Sequence, residues 1–218
     1  MISQAEENYL KVLFHLTDEI ADKTEAGTNE LAEALDVTPA TVNNMLKKLR
    51  EKDLVSYEKY GKISLTPKGR KYAIQIVRKH RLWETFLYEK LNFAWDEVHE
   101  VAEQLEHIQS VKLIEQLERF LDYPKLDPHG DPIPNAKGEI TFIKRKTLAE
   151  ICIGESCKLV SVKDNSSSFL QYLMKLGMGL SSKIKVLDHQ EFDGSMEIEV
   201  DGLRSSISRK VALNLFVV

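Results

Sequence analysis

Four of the six prolines in this 218-residue chain fall in 123-YPKLDPHGDPIPNAKGE-139. Proline removes a backbone donor and clashes with the preceding helical turn, so no helix runs through that stretch and the chain divides there. Upstream, the apolar residues recur at helical spacing. Downstream, five of the ten glycines lie between positions 154 and 202, and segments 158–162, 183–187, 196–200 and 212–218 alternate or run β-branched. The expectation is a mainly α chain with a small all-β domain at its end. A hydrophobic share of 43% over this length is enough for two or three small cores. No run approaches the ~18 apolar residues of a membrane span, and Glu6 and Glu7 stand where a secretory leader would need a basic segment. A cytoplasmic protein without a membrane partner is expected. Cys152 and Cys157 have no second pair and suit neither a disulfide framework nor a thiolate zinc site.

Charge is distributed unevenly. Residues 44–81 hold twelve bases against three acids, a local charge of +9, whereas residues 84–131 hold twelve acids against four bases, a local charge of −8. Ahead of the basic block, Ser3 and Glu6 form a capping box for a helix carrying Tyr9, Leu10, Leu13, Phe14 and Leu16. Thr28 is placed to cap a second helix. Thr38 and Pro39 open a third, whose stripe is Val42, Met45, Leu46 and Leu49. Two short helices joined by a tight turn make a helix-turn-helix, and the alternating strands of 54-LVSYEKYGKISLT-66 add a wing. In such a module the start of the third helix enters the major groove, so Thr38, Pro39, Ala40, Thr41, Asn43 and Asn44 are the expected DNA-reading residues. Lys47, Lys48, Lys59 and Lys62 are the expected phosphate contacts.

In the acidic block, a helical stripe of Ala73, Ile76, Val77, Trp83, Leu87 and Leu91 includes His80 and Glu84. A carboxylate on an apolar stripe would cost several kcal/mol unless a cation met it. The next helix, expected over 96–109, sets His99, Glu103, Glu106 and His107 on a side away from its apolar residues. Imidazole with carboxylate is the ligand set of Mn(II), Fe(II) or Zn(II), and six such side chains exceed the needs of one tetrahedral ion.

The motifs 80-HRLWE-84, 99-HEVAEQLEH-107 and 127-DPHGDPIP-134, behind a winged helix and ahead of a small β domain, resemble the diphtheria-toxin-repressor family of metal-dependent transcriptional repressors. The likeness runs over essentially the whole chain. It implies three domains: a winged helix-turn-helix over 1–70, a helical metal-binding and dimerisation domain over 71–140, and a C-terminal FeoA-like small β-barrel over 141–218. It also implies two metal ions per subunit. His80, Glu84 and His99 would form one site, completed from the barrel with Asp164 as the candidate. Glu103, Glu106 and His107 would form the other, with Asn8 from the first helix and Asp127 supplying further charge. Asn8 departs from the aspartate usual in the manganese branch and the methionine usual in the iron branch. Glu103 stands where the iron branch has cysteine, and a carboxylate there favours Mn(II), with Fe(II) as the alternative.

The resulting expectation is a homodimeric repressor that binds a palindromic double-stranded operator and has no small-molecule substrate. Its dimer surface is expected around Leu113, Ile114, Leu117, Phe120 and Leu121. An enzyme of the di-iron carboxylate kind is disfavoured, because no Glu-x-x-His pair is present and the winged helix would have no role.

Overall fold

The computed structural model describes residues 2–17, 23–57, 62–141 and 144–218, which form two compact units. The first comprises Met1–His80, Leu105–Ser110 and Pro134–Glu139; the second comprises Arg81–Gln104, Val111–Ile133 and Ile140–Val218. No helix among the described residues is long and apolar enough to cross a membrane.

The first unit opens with α1 (Gln4–Leu16), whose capping box between Ser3 and Glu6 is formed as expected. Helix α2 (Thr28–Ala34) is capped by Gly27, one residue before the expected Thr28, with Glu30 reaching back to the Gly27 N–H. Helix α3 (Pro39–Glu51) has Pro39 in its first turn and Thr38 as the cap, the hydroxyl accepting from the Thr41 N–H. Strands β1 (Val55–Tyr57) and β2 (Ile63–Leu65) pair antiparallel, and Ala26 bridges to Ile63, which fastens the wing to the segment before α2. Leu10, Leu13, Phe14, Leu31, Leu46, Leu49, Leu54 and Ile63 are fully buried in this unit. Lys59, an expected phosphate contact, lies outside the described residues.

Helix α4 (Pro67–Leu91) gives its first half to this unit and its second half to the next. Helix α5 (Val98–Leu105) is shorter than the expected 96–109 stretch, and α6 (Val111–Phe120) follows. Beyond the proline-rich segment come β3 (Lys146–Thr147), a 3-10 turn at Leu148–Glu150, β4 (Ser156–Val162), α7 (Ser167–Lys175), β5 (Lys183–His189), β6 (Met196–Val200), β7 (Leu203–Ile207), α8 (Arg209–Ala212) and β8 (Leu215–Val217). The six strands run in the order β3-β8-β4-β5-β6-β7, every neighbouring pair antiparallel. Helix α7 corrects the all-β expectation. Its Leu170 and Leu173 join Leu159, Ile184, Val186, Ile198 and Leu215 in one core, together with Trp95 from the loop between α4 and α5. Trp95 thus belongs to the packing of the sheet domain rather than to the helices beside it in sequence.

Candidate metal centre

In the second unit, Glu84 is 1% exposed and lies among His99, Asp127 and His129. Its Oε1 is 3.2 Å from His99 Nδ1 and its Oε2 is 3.6 Å from His129 Nδ1. Glu84, Asp127 and His129 are all buried, and each offers a ligand atom within 4.8 Å of the other two.

Local backbone geometry builds this cluster. Asp127 Oδ1 accepts from the N–H groups of His129 (2.8 Å) and Asp131 (2.9 Å), which folds residues 127–131 into a tight turn and leaves Oδ2 outside those bonds. Gly130 has φ +83°, and a Cβ there would come within 1.8 Å of the Val160 carbonyl oxygen. Only glycine lets the turn lie this close to β4. The Val162 N–H donates to the His129 carbonyl at 3.1 Å, which ties the turn to the sheet. Two bonds orient His129: its Nε2 is 3.1 Å from the Trp95 carbonyl, and Trp95 Nε1 donates to the Pro128 carbonyl at 2.7 Å, with the two rings stacked at 6.0 Å. A ring nitrogen facing a carbonyl must carry the hydrogen, so Nδ1 is the nitrogen turned to Glu84, and it offers a lone pair there once its proton is lost.

The electrostatics of the cluster set buried carboxylates against Arg81 and His129. Arg81 lies 3.5 Å from Asp127 Oδ2 and 3.7 Å from Asp131, while its own N–H donates to the Pro132 carbonyl at 2.6 Å. Asp131 is shared with Arg145, whose Nη1 lies 3.7 Å from its Oδ1. Burial, followed by the charges of Glu84 and Asp131, pushes Asp127 up to about 7 despite Arg81 and His129. Burial works against a charged His129, but its bond to Glu84 and the charges of Glu84 and Asp127 raise it to about 9. A buried carboxyl and an imidazole whose protons are held to about 7 and about 9, in a closed site, suit a divalent ion that would replace those protons. Two oxygens and one imidazole nitrogen are a hard-to-intermediate donor set, as Mn(II) and Fe(II) prefer.

Several expected assignments change. Asp127 belongs with Glu84 and His129 and not with the Glu106 group. Asp164 is outside this cluster, and its carboxylate accepts from the Ser166 N–H at 2.9 Å just ahead of α7. Its neighbour Asn165 comes closer, with Nδ2 3.4 Å from His99 Nδ1. Glu103 lies 3.4 Å from His99 Nε2, one turn along α5. His129, which the turn brings beside Glu84 and Asp127, was missing from the expected set. The signal was present as a histidine between Pro128 and Gly130, in a stretch read as linker.

In the first unit, His80 Nδ1 is 2.6 Å from Glu106 Oε2, and His107 Nδ1 is 2.5 Å from Glu7. Glu106 is also gripped by Lys11, at 2.7 and 2.8 Å to its two oxygens. The expected Glu106–His107 ligand pair therefore already has protein partners. Asn8 Oδ1 is buried and has no hydrogen-bond partner among the described residues.

On α3, Thr38, Pro39, Ala40, Thr41, Asn44, Lys47 and Lys48 are exposed, as a DNA-reading surface requires, and so is Lys62 on the wing, 3.6 Å from Glu25. Asn43 corrects the expectation: its Nδ2 donates to the Pro39 carbonyl at 2.9 Å and its Oδ1 accepts from the Tyr57 hydroxyl. The amide holds α3 to β1, leaving Asn44 as the free amide on this face.

Three domain families match the chain in succession. Residues 1–63 match the iron dependent repressor N-terminal DNA binding domain, residues 66–135 the iron dependent repressor metal binding and dimerisation domain, and residues 146–218 the FeoA domain. The iron-dependent repressor IdeR of Mycobacterium tuberculosis is 34% identical over 128 residues, 59% of this chain and 54% of that protein. The chain therefore spans only about half the length of that relative. A solved structure of a manganese-dependent transcriptional repressor in complex with manganese is 33% identical, covers 98% of this chain and 99% of its own, and superposes with a TM-score of 0.88. ScaR with bound Cd2+ is 35% identical with 98% of each chain covered and a TM-score of 0.81. These relatives are regulators rather than enzymes, and their names divide between iron and manganese. The chain belongs to the diphtheria-toxin-repressor and MntR family and carries its DNA-binding, metal-binding and dimerisation, and FeoA domains in that order.

Proposed function

We propose that the chain is a homodimeric, metal-responsive transcriptional repressor that binds a palindromic operator in double-stranded DNA, with Mn(II) as its ion and Fe(II) as the alternative. The observation that carries the reading is the fixed orientation of His129. Its Nδ1 is held towards two buried carboxylates by a backbone acceptor on the other ring nitrogen, an arrangement characteristic of metal-ligating histidine. Glu84, Asp127 and His129 would hold the ion, which would take the place of the protons that Asp127 and His129 carry.

The link to DNA is thermodynamic. An ion held between α4 and the 127–131 turn favours one arrangement of the unit that contains them, and any preference of DNA for that arrangement appears as metal-dependent affinity. The same unit exposes Tyr88, Leu91, Leu113, Tyr123 and Phe120, the last 63% exposed. Apolar exposure on this scale suits a self-association surface. Ile114, Leu117 and Leu121, also expected there, are buried within the protomer. A symmetric dimer would place two α3 helices on half-sites about one helical turn apart.

The reading is tested by operator binding measured by fluorescence anisotropy, titrated in parallel with Mn(II), anaerobic Fe(II) and Zn(II). Tightening with Mn(II) or Fe(II), lost in His129→Gln, is expected. Equal operator affinity with and without every metal would make the chain a metal-insensitive winged-helix regulator instead.

A further inference from the structure

Glu106 has no exposed side-chain surface, and both of its carboxylate oxygens are engaged. Lys11 Nζ bonds Oε1 at 2.7 Å and Oε2 at 2.8 Å, and His80 Nδ1 meets Oε2 at 2.6 Å. One residue on, His107 Nδ1 turns to Glu7 Oε2, and Gln109 Nε2 donates to Glu7 Oε1 at 2.7 Å. Lys79, buried on α4, lies where its charge acts on both Glu7 and Glu106. Two ammonium groups, Lys11 and Lys79, thus act on the buried carboxylates of Glu7 and Glu106. A divalent ion at Glu106 would have to displace Lys11 from both oxygens and would bring two further charges beside two ammonium groups already there. Asn8 Oδ1, buried and without a hydrogen-bond partner among the described residues, is the feature here that would suit an ion, but an amide brings no charge to offset that excess.

We propose that the Lys11 ammonium stands in the place of a second divalent ion, so that α1 is fastened to residues 105–110 by an internal cation whether or not metal is present. The chain then carries its metal response on the Glu84, Asp127 and His129 site alone. The Lys11 contact itself does not depend on that site being correct, and either reading can fail without the other.

The test counts Mn(II) by isothermal titration on the full chain after removal of metal with EDTA, beside melting curves in EDTA and in Mn(II). Wild type and Glu106→Gln are expected to bind the same number of ions. Lys11→Ala is expected to melt roughly 10 °C lower in EDTA, since it leaves a buried carboxylate without its cation. It should also take up one more Mn(II) per protomer than wild type, regain most of the lost melting temperature in Mn(II), and lose both effects in Lys11→Ala/Glu106→Gln. Lys11→Met, which keeps the side-chain volume, serves if the alanine variant does not fold. Asp127→Asn, run in parallel, lowers the wild-type count if the Glu84 site is correct and leaves the Lys11 effects in place. A wild-type ion that disappears in Glu106→Gln, or a Lys11→Ala or Lys11→Met count equal to wild type, would overturn the proposal.

Discussion

Gly130→Ala is the sharpest single perturbation of the candidate site that touches no ligand. The backbone there has φ +83°, and the new methyl would lie 1.8 Å from the Val160 carbonyl oxygen, 2.7 Å from Ser161 Cβ and 2.8 Å from Ser161 Cα. The left-handed backbone alone costs an alanine about 1–2 kcal/mol. Relieving the contact requires the turn or β4 to move by more than 1 Å, and overpacking of that kind adds about 1–3 kcal/mol. The sum is about 2–5 kcal/mol, or roughly 5–15 °C in melting temperature for a chain of this size. The movement also loosens the His129 carbonyl from Val162, so Mn(II) affinity should fall about 10- to 100-fold, as when groups that orient a ligand are lost. Gly154→Ala is the control, because φ is +87° there and nothing lies within 4 Å of the added methyl. Differential scanning fluorimetry with and without Mn(II), beside isothermal titration, reads both effects. Equal melting temperatures and equal Mn(II) affinities for the two variants would refute the argument that close approach to β4 positions the ligand turn.

Two further outcomes follow from named contacts. Asn44→Ala should cost about 1–3 kcal/mol on the operator and relax preference at one base pair, whereas Asn43→Ala should lower the melting temperature by loosening α3 from Tyr57 and weaken all DNA alike; competition with single-base operator variants separates the two. Mn(II) affinity should rise from pH 6 to pH 9 and then level off, because Asp127 gives up its proton near 7 and His129 near 9, and both must do so to ligate; titration in buffers of different ionisation enthalpy would expose the idea as wrong if no protons were released.

Much of the fold can be read locally. The Ser3–Glu6 capping box, the Thr38–Pro39 start of α3 and the proline-rich break each act within a few residues, so their sequence signals survive into the structure. Helix α7 was missed because its polar entry, Ser166 to Ser168, reads as a turn in a region otherwise rich in strand signals, and its burial depends on Leu170 and Leu173 meeting strands distant in sequence. The site was legible by residue type but not by partner. Helical spacing singled out Glu84 and His99, which lie 3.2 Å apart, and Glu106 and His107, which meet protein partners instead, whereas Lys11 meets a carboxylate 95 positions away and His129 sits in a turn, where no periodicity marks a face. Asn43 has the right chemistry for reading an adenine edge, and only the approach of Tyr57 shows that its amide is already committed.

The central claim, that an ion at Glu84, Asp127 and His129 controls DNA binding, is met most directly by Mn(II) titration of operator affinity in wild type against Asp127→Asn. Asparagine keeps the Oδ1 acceptor for the His129 and Asp131 N–H groups, so the turn persists while one charged ligand is removed. Mn(II) is expected to tighten the wild-type complex by about 5- to 150-fold, the usual range of coupling between two sites, and to leave the variant at its metal-free affinity at the same Mn(II) concentration. A variant that tightened on the operator as strongly as wild type, at the same Mn(II) concentration, would contradict it.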